Sequence, residues 1–243
     1  MGSTRLPGKV MRDLAGYPVL SWVVRAARAA VGIDEVWVAT STVAADDEIV
    51  LWCASNSVRC HRGSENDVLE RYAGAIKASS ADIVVRITAD CPFLDPSIIG
   101  TVLRLRATSG ADYASNVDPP TWPDGLDCEV ITAAALLIAM KDARLPSERE
   151  HVTPYVRNHS DKFSACNLVA PLPGLAEERW TLDNADDYAL LSAVARELAD
   201  DRPPSFLEVL KVLDAKPRLR ELNRHITRNE GYAMSLAADG KVS

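Results

Sequence analysis

The stretch Ile83-Val84-Val85-Arg86-Ile87-Thr88-Ala89-Asp90-Cys91-Pro92 decides how the rest of the chain is read. Four of its first five residues are β-branched and apolar, a run too short for a helix and suited to a strand buried on both faces. Such a strand belongs at the centre of a sheet covered by helices. It ends in a loop that carries a carboxylate, Asp90. Downstream, Asp95 reads as an N-cap and Pro96 as the first turn of a helix running to about residue 107. Upstream, apolar spacing predicts a helix over 67–77 and a short strand over 58–61. Before these come a helix burying Ile49, Val50 and Cys53 with Asp46 and Asp47 at its start, and a strand over 35–40. A helix over 19–31 places Val19, Trp22, Val23, Ala26 and Ala30 on one side and stops at Gly32. Beyond residue 107, strands are expected near 111–115, 127–131, 164–169 and 179–182, with helices near 132–143, 148–158 and 185–198. Strands alternating with helices imply an α/β fold, a mostly parallel sheet with helices on both faces. Ligands in such folds sit outside the carboxyl ends of the strands, which directs attention to the loops after 87 and 182.

With 243 residues, 47% hydrophobic and 25% charged, the chain fits one α/β domain, or a domain with an appendage. The texture changes near Pro203-Pro204, so residues 1–202 read as the domain and 203–243 as a C-terminal helical tail. The apolar residues of that tail would bury against a second copy, giving a homodimer, or against their own domain. The net charge of −7 excludes the broad positive field of a nonspecific nucleic-acid binder, so any bound phosphate needs a local site. No apolar run is long enough to span a membrane, and none near Met1 reads as a signal peptide. The five cysteines form no C-x-x-C pair, and the four histidines lack ligand spacing. The expectation is a reduced, cytoplasmic protein.

Five segments hold candidate chemistry. In Gly2-Ser3-Thr4-Arg5-Leu6-Pro7-Gly8-Lys9, two glycines allow close backbone approach while Arg5 and Lys9 add positive charge; this suits a triphosphate, and a solvated N-terminus is the alternative. The loop Thr88-Ala89-Asp90 offers a carboxylate for Mg²⁺. Arg179-Trp180-Thr181-Leu182-Asp183 offers a second carboxylate, Asp183, which also suits an N-cap. Asp186 and Asp187 read as a negatively charged first turn. Pro123-Asp124-Gly125 is a turn, with Asp127 and Glu129 on one face of the strand after it, fit for metal or sugar hydroxyls or for a plain hairpin. Ser147 and Glu150 fit a capping box, leaving Arg149 and His151 to face elsewhere, with Arg149 able to grip a carboxylate in two-pronged fashion.

Taken in order, GSTRLPGK at 2–9, RGSENDVLERY at 62–72, VRITADCPFLDP at 85–96, WPDGLDCEV at 122–130, SEREHVTPYVRNH at 147–159 and RWTLDNADDY at 179–188 resemble the cytidylyltransferase family. The nearest branch is the SpsF type of spore coat polysaccharide biosynthesis, related to the enzymes that activate Kdo and sialic acid. The resemblance runs to about residue 198, and Asn229-Glu230-Gly231-Tyr232 resembles tails of that branch. It implies a Rossmann-like nucleotide-diphosphosugar transferase fold and the reaction of CTP with a sugar acid to give a CMP-sugar and pyrophosphate. The alternatives are a non-catalytic paralogue and an enzyme using another nucleotide or a nucleotide-sugar. The resemblance further implies that Gly2, Ser3, Arg5, Gly8 and Lys9 hold the triphosphate. Asp90 and Asp183 are implied as magnesium ligands. Thr40, Gly63, Ser64, Asp67 and Thr88 would lie by the nucleotide, and Asp124, Asp127, Glu129, Arg149 and His151 on the sugar side. Family members open with an apolar strand ahead of the glycine loop. Here the chain reads Met1-Gly2 at once, so the expectation is a first strand missing from this sequence and a natural start upstream of Met1.

Overall fold

A computed structural model describes residues 5–198 and 202–240; Gly2 and Ser3 lie outside the described residues. Strands β1 (Asp13–Leu14) and β2 (Tyr17–Pro18) form a small hairpin that leads into α1 (Val19–Ala29). Then β3 (Trp37–Ser41), α2 (Asp47–Ser55) and β4 (Arg59–Gly63) make a β-α-β unit whose two strands pair in parallel, with Trp37 opposite Arg59. Helix α3 (Val68–Ser79) leads to β5 (Ile83–Arg86), the strand read first from sequence, and α4 (Pro96–Ser109) follows with Asp95 as its N-cap. After β6 (Tyr113–Ser115) come β7 (Glu129–Thr132), α5 (Ala133–Asp142), α6 (Pro146–His151), α7 (Pro154–Asn158), β8 (Ala165–Asn167) and α8 (Ala185–Ala195). Helices α9 (Phe206–Ala215) and α10 (Glu230–Asp239) complete the chain.

The class is α/β as expected, but the sheet is mixed. The order is β5-β7-β6-β8, with β7 antiparallel to both its neighbours and β8 parallel to β6. The 111–132 segment turns back on itself, so β6 and β7 run in opposite directions without a crossover helix between them. Side-chain alternation divides the interior. Val85, Ala114 and Val130 face a core shared with α1, α4, α8 and α9. Val84, Tyr113 and Ile131 face a second core under α3, α5 and α7.

Three local expectations are corrected. Residues 179–182 form no strand; they run extended, tied by Trp180 N–H donating to the Asp124 carbonyl at 2.6 Å. The helix expected over 148–158 is two helices: Pro154 has no amide hydrogen with which to bond the Glu150 carbonyl, and the chain breaks two residues before it. The break falls at Val152, which turns to φ +74°. Ser147 and Glu150 do not form a capping box. Glu148 accepts from the Arg144 and Leu145 amides instead, while Ser147 donates to Asp239 and Glu150 accepts from Ser235.

The C-terminal stretch packs into the same body. Val209 and Leu213 of α9 are fully buried in the first core, and Phe206 meets Trp122 edge to face at 5.3 Å. Helix α10 lies on α6, where the His151 ring abuts Tyr232. Among the described residues, no helix is long and apolar enough to cross a membrane.

Candidate active site

The N-terminal loop, the loop after β5 and the segment before α8 converge on one point. Gly8 takes φ +68°, a left-handed turn that aims the next side chain inward. Lys9 Nζ donates to Asp90 Oδ2 at 2.5 Å and to Asp183 Oδ1 at 2.8 Å. Arg5 adds a contact to Asp183 at 3.3 Å and one to Glu230 at 2.8 Å. Two aspartates 93 positions apart in sequence therefore meet at the lysine. Burial works against charge on Lys9, but Asp90 and Asp183 outweigh it and raise its pKa. Burial likewise opposes charge on Asp183, and Lys9, Arg179 and Arg5 hold it below its ordinary value.

Arg179 supports this point from beneath. It is buried, and its guanidinium bonds Asp124 at 2.7 Å, Asp183 Oδ2 at 2.9 Å and both oxygens of Asp187. Asp187, fully buried, is more than a first-turn charge: it also accepts from the Asp183 amide and from Asn223. The turn at Gly125 fits against this strip. Its φ is +113°, and a Cβ there would stand 2.6 Å from the Trp180 carbonyl carbon.

A cleft of about 270 Å³ opens beside the lysine, and it takes in Arg5, Thr88, Asp90, Asp183, Asp124, Asp127, Glu129 and His151. Within it, enclosure pushes the Asp127 carboxyl up to about 7 against the pull of Arg228, its partner at 2.7 Å. Glu129 is buried, pairs with Arg86, and accepts from Tyr113 Oη at 2.5 Å and Thr153 Oγ1 at 2.6 Å. Burial favours its neutral form, yet Arg86 and these donors keep it below its ordinary pKa. His151 is held below its usual value by burial and contacts Ser235 at 3.0 Å.

Other expected residues lie apart from this cleft. Arg149 and Asp67, read as ligands of opposite ends of the substrate, bond each other, and Arg149 also donates to the Met140 carbonyl. Asp67 caps α3 through the Glu70 amide. Thr40 donates to Asp46 at 2.7 Å. Gly63 and Ser64 lie at the end of β4, where the Ser64 amide donates to Glu70. Sequence reasoning missed Arg86, Arg157, Arg179, Arg228 and Tyr232 as lining residues. For Tyr232 the signal was the Asn229–Tyr232 resemblance.

For a metal, Asp90 and Asp183 are hard oxygen donors at one point. Among the described residues, no group of three or more His, Cys, Asp or Glu gathers into a metal site. Two carboxylates suit an ion such as Mg²⁺ that takes its remaining ligands from phosphates and water.

A Rossmann-like body with cationic residues and paired carboxylates at its loop end defines a nucleotidyltransferase. A profile of the cytidylyltransferase family matches residues 1–229, and the chain belongs to that family, an enzyme of the CTP-dependent nucleotidyltransferase type. It is 32% identical over 223 residues to the spore coat polysaccharide biosynthesis protein SpsF of Bacillus subtilis, covering 89% of this chain and 92% of that one. The 3-deoxy-manno-octulosonate cytidylyltransferase of Escherichia coli is 25% identical over 224 residues, 90% of this chain and 82% of that one. Among solved structures, a cytidylyltransferase from Leptospira borgpetersenii superposes with a TM-score of 0.86 at 29% identity, over 93% of this chain and 94% of that one.

Proposed function

We propose that this enzyme transfers the cytidylyl group of CTP to a sugar acid, for surface polysaccharide synthesis in the cytoplasm. The observation that carries the reading is the meeting of Lys9 with Asp90 and Asp183 at the mouth of the cleft. The sugar hydroxyl releases its proton to solvent and its oxygen forms a bond to the α-phosphorus while the bond to the bridging oxygen breaks, and pyrophosphate departs with the electron pair. Lys9 and Arg5 face the triphosphate and offset charge on the leaving group. Asp90 and Asp183 would hold Mg²⁺, which when bound neutralises phosphate charge and favours the alkoxide. Thr88, Asp124, Asp127, Glu129 and His151 all line the cleft; in this reading Thr88 would meet the nucleotide and the other four the sugar.

An acidic sugar is favoured by Arg157. It lines the cleft, its guanidinium stands 5.7 Å from the centroid of the Tyr232 ring, and among the described residues it forms no ion pair. Its Nε is buried without a partner. A substrate carboxylate satisfies such a fork.

The test is pyrophosphate release with CTP, UTP, GTP or ATP against a panel of keto-sugar acids and neutral sugars. Release is expected with CTP and an acid; release only with neutral sugars or another nucleotide rejects the reading. Arg157→Met is expected to raise KM for the acid about tenfold or more while leaving KM for CTP unchanged.

A further inference from the structure

His151 is the last residue of α6 and stands where α10 packs against that helix at the cleft. Its Nε2 lies 3.0 Å from Ser235 Oγ. The same hydroxyl lies 2.6 Å from Glu150 Oε2 and 3.1 Å from the Gly231 carbonyl oxygen. A serine hydroxyl carries one proton, and a carboxylate and a carbonyl only accept. The contact to Glu150 has the length of a charge-assisted O–H···O⁻ bond, the strongest on offer. Ser235 therefore gives its proton to Glu150 and can only accept from the imidazole. The network so assigns the ring proton to Nε2.

A neutral imidazole protonated on Nε2 has a bare Nδ1, which is an acceptor. Among the described residues Nδ1 has no hydrogen-bond partner, and the side chain, a quarter exposed, lines the cleft. Tyr232 packs edge to face on the ring at 5.0 Å and restrains its rotation. Burial keeps the ring neutral, helped by Arg86 of β5 and Arg157 of α7 and opposed by Glu150 beside it and Glu129 of β7. The carboxylates nearby already accept from arginines: Asp124 from Arg179, Asp127 from Arg228 and Glu129 from Arg86. Nδ1 adds an acceptor that no cation occupies. On the same wall, Arg157 beside Tyr232 supplies donors.

We propose that Ser235 and Glu150 are positioning residues for His151, locking its ring with the proton on Nε2 so that Nδ1 stands in the cleft as the acceptor for a hydroxyl of the sugar acid. Its ligand rests on the proposed use of a sugar acid, whereas the lock exists in the free protein. A ring free to exchange tautomers presents the acceptor only part of the time; the lock removes that cost from binding. Helix α10 thereby sets the polarity of the sugar pocket through a residue of another helix.

NMR of the imidazole nitrogens in ligand-free protein at about pH 7.5 reads the lock directly. His151→Gln assigns the signals. His159 is the internal reference of opposite tautomer, because its Nδ1 lies 2.7 Å from the Tyr155 carbonyl, which only accepts. The expected result is a neutral His151 with its proton on Nε2. In Ser235→Ala the ring becomes a mixture of tautomers, and KM for the keto-sugar acid rises about five- to tenfold, more than kcat or KM for CTP changes. Asp239→Ala removes the acceptor of Ser147 at the far end of α10 and is expected to leave the tautomer and KM for the acid unchanged. In the parent, an imidazolium or a proton on Nδ1 overturns the proposal, as does an unchanged tautomer in Ser235→Ala. Equal rises in KM in Ser235→Ala and Asp239→Ala reduce both contacts to moorings of α10 and also overturn it. A locked ring in a protein that turns over no keto-sugar acid overturns the hydroxyl assigned to Nδ1 together with the sugar-acid reading, and upholds the lock.

Discussion

Lys9 sits where two carboxylates need a counter-charge and where a triphosphate would need a cation, so its removal affects both the resting site and the reaction. Lys9→Ala and Asp90→Asn are each expected to lower pyrophosphate release by about 10²–10³-fold while leaving the circular dichroism spectrum and melting temperature near those of the parent. Near-parental turnover in either variant withdraws the role given to that residue. Glu129 has the opposite emphasis. It is buried, and its partners Arg86, Tyr113 and Thr153 were assembled around a charge. Glu129→Gln leaves Arg86 uncompensated and is expected to cost about 3–5 kcal/mol at neutral pH. Because its folded pKa is depressed, the carboxylate's contribution is present above the unfolded value near about 4.3 and is lost as pH falls through the folded one. Urea titrations at pH 7 and in the acid range should therefore show the gap between parent and variant closing on acidification.

The elements depend on a few backbone positions. The strip 179–183 carries Arg179 and Asp183 to the site without being a strand, and its position is set by the Asp124 carbonyl and by Gly125 pressed on Trp180. Gly125→Ala requires a side chain at φ +113° and into a contact of 2.6 Å with backbone. Strain of about 1–3 kcal/mol is expected from the dihedral alone, with more from the displaced strip. Thermal unfolding reads the stability. A fall in turnover larger than that of a surface Gly→Ala control, measured well below the melting temperature, reads the displacement of Asp183. The split of the 148–158 segment into α6 and α7 has a comparable consequence. It gives Thr153 the position from which its hydroxyl reaches Glu129.

At the scale of the whole molecule, α9 is part of the core it follows in sequence. Leu213→Ala is expected to cost about 2–5 kcal/mol and to lower a single cooperative transition, since the residue belongs to the same buried core as residues of α1, α4 and α8. A separate early transition, with the remaining protein unchanged, contradicts that integration. Helix α10 couples differently, through Ser147–Asp239, Ser235–Glu150 and Arg5–Glu230, and its first residues line the cleft together with Arg5.

How much of this was legible in the sequence follows from the range of the interactions involved. Periodicity and caps are local, so β5, the helix begun at Asp95-Pro96 and the alternation that makes an α/β fold were readable from residues a few positions apart. The ordered motifs carried Lys9, Asp90 and Asp183 together as a set. The antiparallel insertion of β7, the burial of Arg179 among three aspartates, and the pairing of Arg149 with Asp67 were decided by tertiary structure. Each joins groups tens of residues apart, and no local preference records which carboxylate a distant guanidinium will meet. The sequence by itself determined the elements and the chemical groups. Only packing decided which charges neutralise each other and which remain turned toward a ligand, because that choice depends on burial, and burial is a property of the assembled chain.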